Sequence, residues 1–170
     1  GTYQRSSTNE VTSAAADHAA AKTAVNALSN AAADYVVNGS FGTSTAAVDA
    51  GADARDVASS FNLISGNSGV QATALTRAKM TVSAAATFSF TLQGKSTTSS
   101  QITATVTSTT DLTAIKDAIN AVSGSTGITA ALSSDKAGIN ITQSEGYDIL
   151  IGDVTTGSTN ADLVVAAMDM

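Results

Sequence analysis

The chain has 170 residues with no cysteine, proline or tryptophan, and its formal net charge is −6 at pH 7. The lack of cysteine excludes disulfides, thiolate chemistry and cysteine-ligated metal sites, and an acidic chain without a basic stripe argues against nucleic acid and anionic membranes as partners. Only 13% of the residues are charged, about half the usual share, so hydroxyl and amide side chains must cover much of the surface, as is typical of exported proteins.

The first segment, residues 1–34, is rich in alanine. Its apolar residues recur at spacings of three and four, which predicts an amphipathic helix over residues 9–33. His18, the single histidine of the chain, lies on this apolar stripe without a nucleophile or a metal-ligand cluster beside it. We therefore interpret His18 as structural rather than catalytic or metal-binding.

The second segment, residues 35–84, is predicted to form a strand–strand–helix–strand unit. Two short strands, at residues 35–37 and 43–48, flank a turn at Asn38 and Gly39, a pair that readily supplies positive φ. Asp53 is predicted to cap the following helix, whose inner face is formed by residues 54, 57, 61 and 64 and which ends at Gly66. A short alternating strand at residues 70–74 ends the predicted elements of this unit.

The third segment, residues 85–170, repeats the same order. Strands are predicted at residues 88–92 and 102–106, and a helix over residues 112–122 is capped by Thr110 or Asp111. Three further alternating strands are predicted at residues 128–132, 138–142 and 147–151, and the tail at residues 162–168 is interpreted as a strand. Together the segments predict an α+β fold of two related β-β-α-β units with small, mainly antiparallel sheets, preceded by the alanine-rich helix.

An internal repeat relates the ends of the two predicted helices. The segment Asn-Leu-Ile-Ser-Gly-Asn-Ser-Gly-Val from residue 62 aligns without a gap with Asn-Ala-Val-Ser-Gly-Ser-Thr-Gly-Ile from residue 120. The first glycine of each copy is predicted to supply a left-handed helix cap, and the second is predicted to let the chain reverse into a strand. Each leading asparagine is predicted to bond backbone in the turn after its helix. The structural-turn residues are therefore Asn62, Gly66, Gly69, Asn120, Gly124 and Gly127.

Other candidate sites lack the pattern that their chemistry requires. Asp49, Asp53 and Asp56 do not form the dense oxygen cluster of a calcium loop. Scattered carboxylates, including Glu145, Asp148 and Asp153, lack the aromatic side chains that usually accompany a glycosidase pair. No nucleotide-binding, serine-hydrolase or zinc-protease motif is present in the sequence. We therefore expect no catalytic residues, no cofactor and no metal.

The second copy carries a resemblance to a known family. Residues 117–130, with Asn120, Gly124 and Gly127, resemble the Ile-Asn repeat of the variable middle region of bacterial flagellins, and related repeats occur in hook-associated flagellar proteins. The first copy resembles this motif more loosely, with Phe61-Asn62 in place of Ile-Asn. The resemblance implies a non-catalytic, surface-exposed module of the extracellular flagellar filament.

The resemblance also implies partners. These are neighbouring flagellin subunits and O-linked glycans, with no nucleic acid and no membrane. Long terminal helices of the filament-forming kind are not evident in this sequence, so the segment alone is not expected to polymerise. The alternative is an adhesin-like module that binds glycans or a host surface, which should present a concave patch with exposed aromatic side chains or a bound ion.

Overall fold

A computed structural model describes residues 2–3 and 32–168 of the chain. His18 and nearly all of the predicted helix at residues 9–33 lie outside the described residues. The one exception that bears on the prediction is Ala33, which begins a strand rather than ending a helix.

The described residues form eleven strands and four helices. In chain order these are β1 (Thr2–Tyr3), β2 (Ala33–Asn38), β3 (Thr43–Val48), α1 (Ala54–Leu63), α2 (Ser65–Ser68), β4 (Gln71–Ala72), β5 (Thr76–Val82), β6 (Ala86–Gln93), β7 (Ser100–Val106), α3 (Thr113–Ala121), α4 (Ser123–Thr126), β8 (Ile128–Leu132), β9 (Ile139–Gln143), β10 (Leu150–Thr156) and β11 (Leu163–Ala167).

Two antiparallel sheets make up most of the fold. One has three strands in the order β10-β6-β7, and the other has four strands in the order β11-β5-β9-β8. The hairpin of β2 and β3 stands apart from both sheets, and β1 pairs in parallel with β4. Small sheets, almost wholly antiparallel, combined with short helices confirm the predicted α+β class.

Both main sheets and α3 contribute to one hydrophobic core. Along β6, Phe88, Phe90 and Leu92 are completely buried, because every second side chain of a strand points to the same face. From α3, Ile115 and Ile119 enter the same core. This helix contacts β7 of one sheet and β8 of the other, so it joins the two sheets on one side of the core.

A second, smaller core lies under α1. It contains Val57 and Phe61 of the helix, Ala46 and Val48 of β3, and Ala72 of β4. These side chains are mostly small, and the largest of them, Phe61, keeps 8% of its surface exposed. The first helix therefore rests on a thinner apolar layer than α3 does.

Strand β5 was missing from the sequence-based prediction. Its residues belong to the predicted first unit, yet Ala78, Met80 and Val82 lie in the main core and the strand pairs with β9 and β11. Along Thr76–Val82, buried residues alternate with the more exposed Arg77, Lys79 and Thr81. This is a strand pattern, but the unit boundary placed at residue 84 concealed it. The strand predicted at residues 147–151 is also displaced, because β10 occupies Leu150–Thr156.

Candidate functional site at the two helix-to-strand junctions

The two junctions that follow α1 and α3 have the same backbone course. Each helix is followed by a single turn, α2 or α4, which ends at a glycine in the left-handed region, Gly69 with φ 73° or Gly127 with φ 69°. The amide of Gly69 donates to the carbonyl of Ser65 at 2.7 Å, and that of Gly127 donates to Ser123 at 2.8 Å. A side chain is disfavoured at positive φ, so glycine suits these two positions.

The roles predicted for the two glycines of each copy need a correction. Gly66 and Gly124 do not have positive φ, and they lie inside the single turns with open space where a Cβ would stand. The left-handed cap is supplied by the second glycine, because the chain makes one extra helical turn before it reverses. The turn at Asn38 and Gly39 also differs, since positive φ occurs at Gly42 rather than Gly39.

A buried hydroxyl precedes each left-handed glycine. Ser68 Oγ donates to the carbonyl of Ile64 at 3.0 Å and accepts from the amide of Val70 at 3.2 Å. Thr126 Oγ1 makes the corresponding bonds to Val122, at 3.0 Å, and from Ile128, at 3.1 Å. Both side chains are completely buried. Sequence reasoning missed these residues, although a hydroxyl at the same position of both aligned copies was a signal for them.

The two asparagines form the most specific contacts of the junctions. Asn120 Nδ2 donates to the carbonyl of Ala130 at 2.9 Å, and Asn120 Oδ1 accepts from the amide of the same residue at 2.8 Å. Asn62 makes the same pair of bonds to Ala72 at 2.9 and 2.8 Å. The prediction named the turn as the partner, whereas the partner is the strand beyond it, because one amide group can match both polar groups of an extended residue.

Each hairpin tip docks on the adjacent junction. The amide of Phe41 donates to the carbonyl of Ser68 at 3.3 Å, and the amide of Lys95 donates to that of Thr126 at 2.9 Å. A Cβ on Gly39 would lie 1.8 Å from the Ser68 oxygen, and one on Gly94 would lie 2.2 Å from the Thr126 oxygen. Glycine is therefore needed at these tips for close approach rather than for positive φ.

The acidic residues before the two helices have opposite environments. Asp53 accepts from the amide of Asp56 at 2.8 Å, and its pKa is raised chiefly by burial, with a further rise from the Asp56 charge. Asp111 accepts from the hydroxyl of Thr113 at 2.6 Å and from its amide at 3.1 Å. These bonds favour the ionised form, so the pKa of Asp111 is lowered. Of the two predicted caps for α3, Thr110 and Asp111, the aspartate bonds the first turn.

One cleft of about 250 Å³ lies between the start of α1, the turn that joins β6 to β7, and the segment that leads into β10. It is lined by backbone and polar side chains that include Asp53, Gln93, Lys95, Tyr147 and Asp148. The guanidinium carbon of Arg55 lies 4.8 Å from the centre of the Tyr147 ring, so one face of the aromatic ring is already in contact with a cation.

The remaining carboxylates do not converge on a reaction centre. Within residues 2–3 and 32–168, no group of three or more His, Asp or Glu side chains is placed to hold a metal ion. In that same part of the chain, no helix combines the length and the apolar character needed to cross a membrane. Asp53 and Asp56 lie near each other at the start of α1. Asp153 lies elsewhere, on the outer face of the three-stranded sheet, where it accepts a hydrogen bond from Thr91 Oγ1 at 3.1 Å.

The segment that contains the second junction matches a known family. Residues 87–145 match the family model described as the flagellin hook IN motif, which covers about a third of the chain. The matched segment runs from β6 to the turn after β9, so it includes the junction at Asn120. The match supports a flagellin-type protein. No curated protein sequence matches the chain significantly.

Proposed function

We propose that this chain is the surface-exposed outer module of a flagellin subunit, with a structural and non-catalytic role in the extracellular flagellar filament. The observation that carries the proposal is the family match over residues 87–145. The partners are then neighbouring flagellin subunits. O-linked glycans have acceptors available in the hydroxyl rows on the outer face of β6 and β7, where Thr87 contacts Thr105 at 2.9 Å and Ser89 contacts Thr103 at 3.2 Å.

We further propose that residues 35–74 are a diverged copy of the same motif, the first of the two along the chain. Three contacts recur in both regions: the asparagine pair with the strand, the buried hydroxyl before the glycine, and the hairpin tip on the junction carbonyl. The asparagine contacts support this proposal best, because both donor and acceptor geometry agree at positions 58 residues apart.

The junction residues act together as a clamp in this proposal. The left-handed glycine reverses the chain, and the buried hydroxyl links the carbonyl at the helix end to the amide that follows the glycine. The asparagine fixes the distance between the helix end and the strand. A module held in this way is a rigid spacer, which suits a domain that projects from a filament. The role assigned to Asn62, Gly69, Asn120 and Gly127 is thus structural, while Gly66 and Gly124 are tolerated rather than required.

Immunogold electron microscopy tests the location. Antibodies raised against residues 32–168 should label filaments along their whole length in the source bacterium, and a strain carrying an in-frame deletion of this segment should lose the label. Label confined to the junction between hook and filament would instead identify a hook-associated protein. Label on the cell body without filaments would contradict the flagellar assignment altogether.

An adhesin-like module that binds glycans is the second candidate, and the cleft beside Tyr147 favours it. A concave polar surface with an aromatic ring is a common feature of sugar sites. The ring is half-buried and one face is held by Arg55, which leaves less stacking surface than such a site requires. Binding of the purified chain to a glycan array, abolished by Tyr147→Ala and retained by Tyr35→Ala, would support this candidate.

A further inference from the structure

The outer strands of the two main sheets differ in how their edges are protected. An exposed strand edge presents unpaired N–H and C=O groups and can pair with another chain, so proteins usually block it. Strands β7 and β8 both contact α3. In addition, Asn120 bonds the amide and the carbonyl of Ala130 in β8, and this asparagine therefore occupies the place of a neighbouring strand.

Strand β10 is protected in another way. Its pairing with β6 shifts register between Gly152 and Thr155, and Asp153 at this irregularity has a φ of 51°. A bulge that carries a charge on an edge strand disrupts regular pairing with a further strand. Three of the four outer strands thus have a feature that opposes edge-to-edge association.

Strand β11 has none of these features. Its five residues, Leu163–Ala167, pair with β5 in unbroken register and include no charged residue and no proline. Val164 exposes 49% of its surface on the outer face. In the part of the chain that the structure describes, β5 is the only strand beside β11.

The direction of the free backbone groups follows from the register. Ser83 donates to the carbonyl of Asp162, and Met168 donates to the carbonyl of Arg77. Antiparallel hydrogen bonding alternates along a strand, so Val164 and Ala166 also bond β5. The amides and carbonyls of Leu163, Val165 and Ala167 therefore point away from the sheet.

We propose that this β11 edge pairs with β11 of a second copy of the chain, antiparallel and about a two-fold axis at Val165. In that arrangement Val164 lies opposite Ala166 of the second copy, so two exposed and uncharged side chains meet on the outer face. The protein has a net charge of −6, so two copies repel each other overall. No residue of β11 is charged, and the strands themselves therefore add no carboxylate to this repulsion. The two four-stranded sheets would become one continuous sheet.

A two-fold contact joins copies in pairs and does not propagate. The contact therefore goes beyond the proposed packing of subunits within a filament, and it can be tested without assuming any flagellar role. A five-residue strand buries little surface, which places the pair among weak and transient associations. It should form at millimolar protein concentration and dissociate at micromolar concentration.

Hydrogen exchange resolved by residue tests the pairing. The amides of Leu163 and Val165 should exchange rapidly in micromolar protein and become protected in millimolar protein, when sedimentation shows a dimer. The amides of Val164 and Ala166 should be protected at both concentrations, because they bond β5. A chain that stays monomeric at millimolar concentration overturns the proposal. So does full protection of Leu163 and Val165 in the monomer, since another segment of the same chain would then occupy the edge.

A matched pair of variants identifies the surface. Val164→Lys places an ammonium opposite Ala166 of the second copy, whose neighbour on β5 is Lys79, and like charges at an interface oppose association. We expect the dimer dissociation constant to rise by at least about tenfold. Thr81→Lys adds the same charge one strand inward, opposite Val164 in the register, and should leave dimerisation nearly unchanged. Equal dimerisation of Val164→Lys and the parent chain would exclude β11 as the interface.

Discussion

The junction at Asn62 and the junction at Asn120 make the same hydrogen bonds in different surroundings. Asn62 is exposed and its helix packs on small side chains, whereas Asn120 is half-buried and its helix inserts two completely buried isoleucines between the sheets. The two turns share their polar geometry, although the apolar layer beneath the first is thinner than that beneath the second. The geometry of this chain reversal is therefore set locally, but its contribution to stability depends on what lies under the helix.

The largest difference should appear in the two cores. Ile119→Ala removes a completely buried side chain at the centre of the main core and should lower the free energy of unfolding by about 3–5 kcal/mol. Phe61 occupies the corresponding position of the smaller core. Phe61→Ala should lower the free energy of unfolding by less than the roughly 3–5 kcal/mol usual for a buried phenylalanine, because this small, partly exposed core can relax around the substitution. Urea denaturation measures both, and an equal loss in the two variants would contradict the comparison.

The asparagines come next in expected effect. Asn120→Ala leaves the amide and carbonyl of buried Ala130 without their partner and should cost about 2–3 kcal/mol. Ala72 is buried as well, but Asn62 itself is exposed whereas Asn120 is half-buried. Water can therefore reach the amide and carbonyl of Ala72 in Asn62→Ala, which should cost about 1 kcal/mol. Asn120→Asp keeps the acceptor but sets a carboxylate oxygen against the carbonyl of Ala130 in place of the donor, so at neutral pH it should be at least as destabilised as Asn120→Ala. Thermal unfolding that left Asn120→Ala unchanged would refute the clamp.

Replacing either glycine of one junction by alanine should change the stability in opposite directions. Gly127→Ala forces a Cβ into the left-handed region and should destabilise by about 1–2 kcal/mol. Gly124→Ala, three residues earlier, meets open space in a helical turn and should stabilise by about 0.4–1 kcal/mol. The pair Gly69→Ala and Gly66→Ala should repeat this pattern. Loss of stability in both variants of one pair would show that the first glycine has a role of its own.

The smallest effects should be those of pH at the two acidic residues. The lowered pKa of Asp111 means that it stabilises the fold above its unfolded-state pKa, near 3.8, and that this contribution is lost as pH falls through the folded value. The contribution of Asp53 to stability has the opposite sign, because its pKa is raised. Its ionised form lowers stability at neutral pH, and this cost disappears as pH falls toward 3.8.

Two asparagine variants separate these contributions. At pH 7, Asp111→Asn should be less stable than the parent, and Asp53→Asn should be equally or slightly more stable, since asparagine also caps helices well. Both differences should shrink as pH is lowered through the respective folded-state pKa values. Chemical denaturation at a series of pH values measures them, and a destabilised Asp53→Asn at neutral pH would contradict an unfavourable contribution from the Asp53 charge.

The sequence predicted local features well where the residue pattern itself carried the information. The strands at Thr43–Val48 and Ile128–Leu132 have the predicted bounds, and α1 and α3 agree within a few residues, because capping and apolar spacing are local signals. Strand β5 was missed although it has the alternating pattern of a strand, because a unit boundary was placed at residue 84. Its pairing with β9 and β11, which are distant in sequence, could not be predicted from a local pattern. The docking of Gly39 and Gly94 on junction carbonyls was not predictable either, as close approach depends on tertiary packing.

The docked hairpin tip also has a consequence for protein engineering. Lys95 is tied to Thr126 at the base of the β6–β7 turn, and Gln93 Nε2 donates to the carbonyl of Ser96 at 3.0 Å, whereas Thr97 and Thr98 beyond them are exposed. A foreign peptide inserted between these two threonines would leave both anchors in place. The turn could thus display an epitope while its two ends stay hydrogen-bonded, and the junction below would keep its structure despite the added sequence.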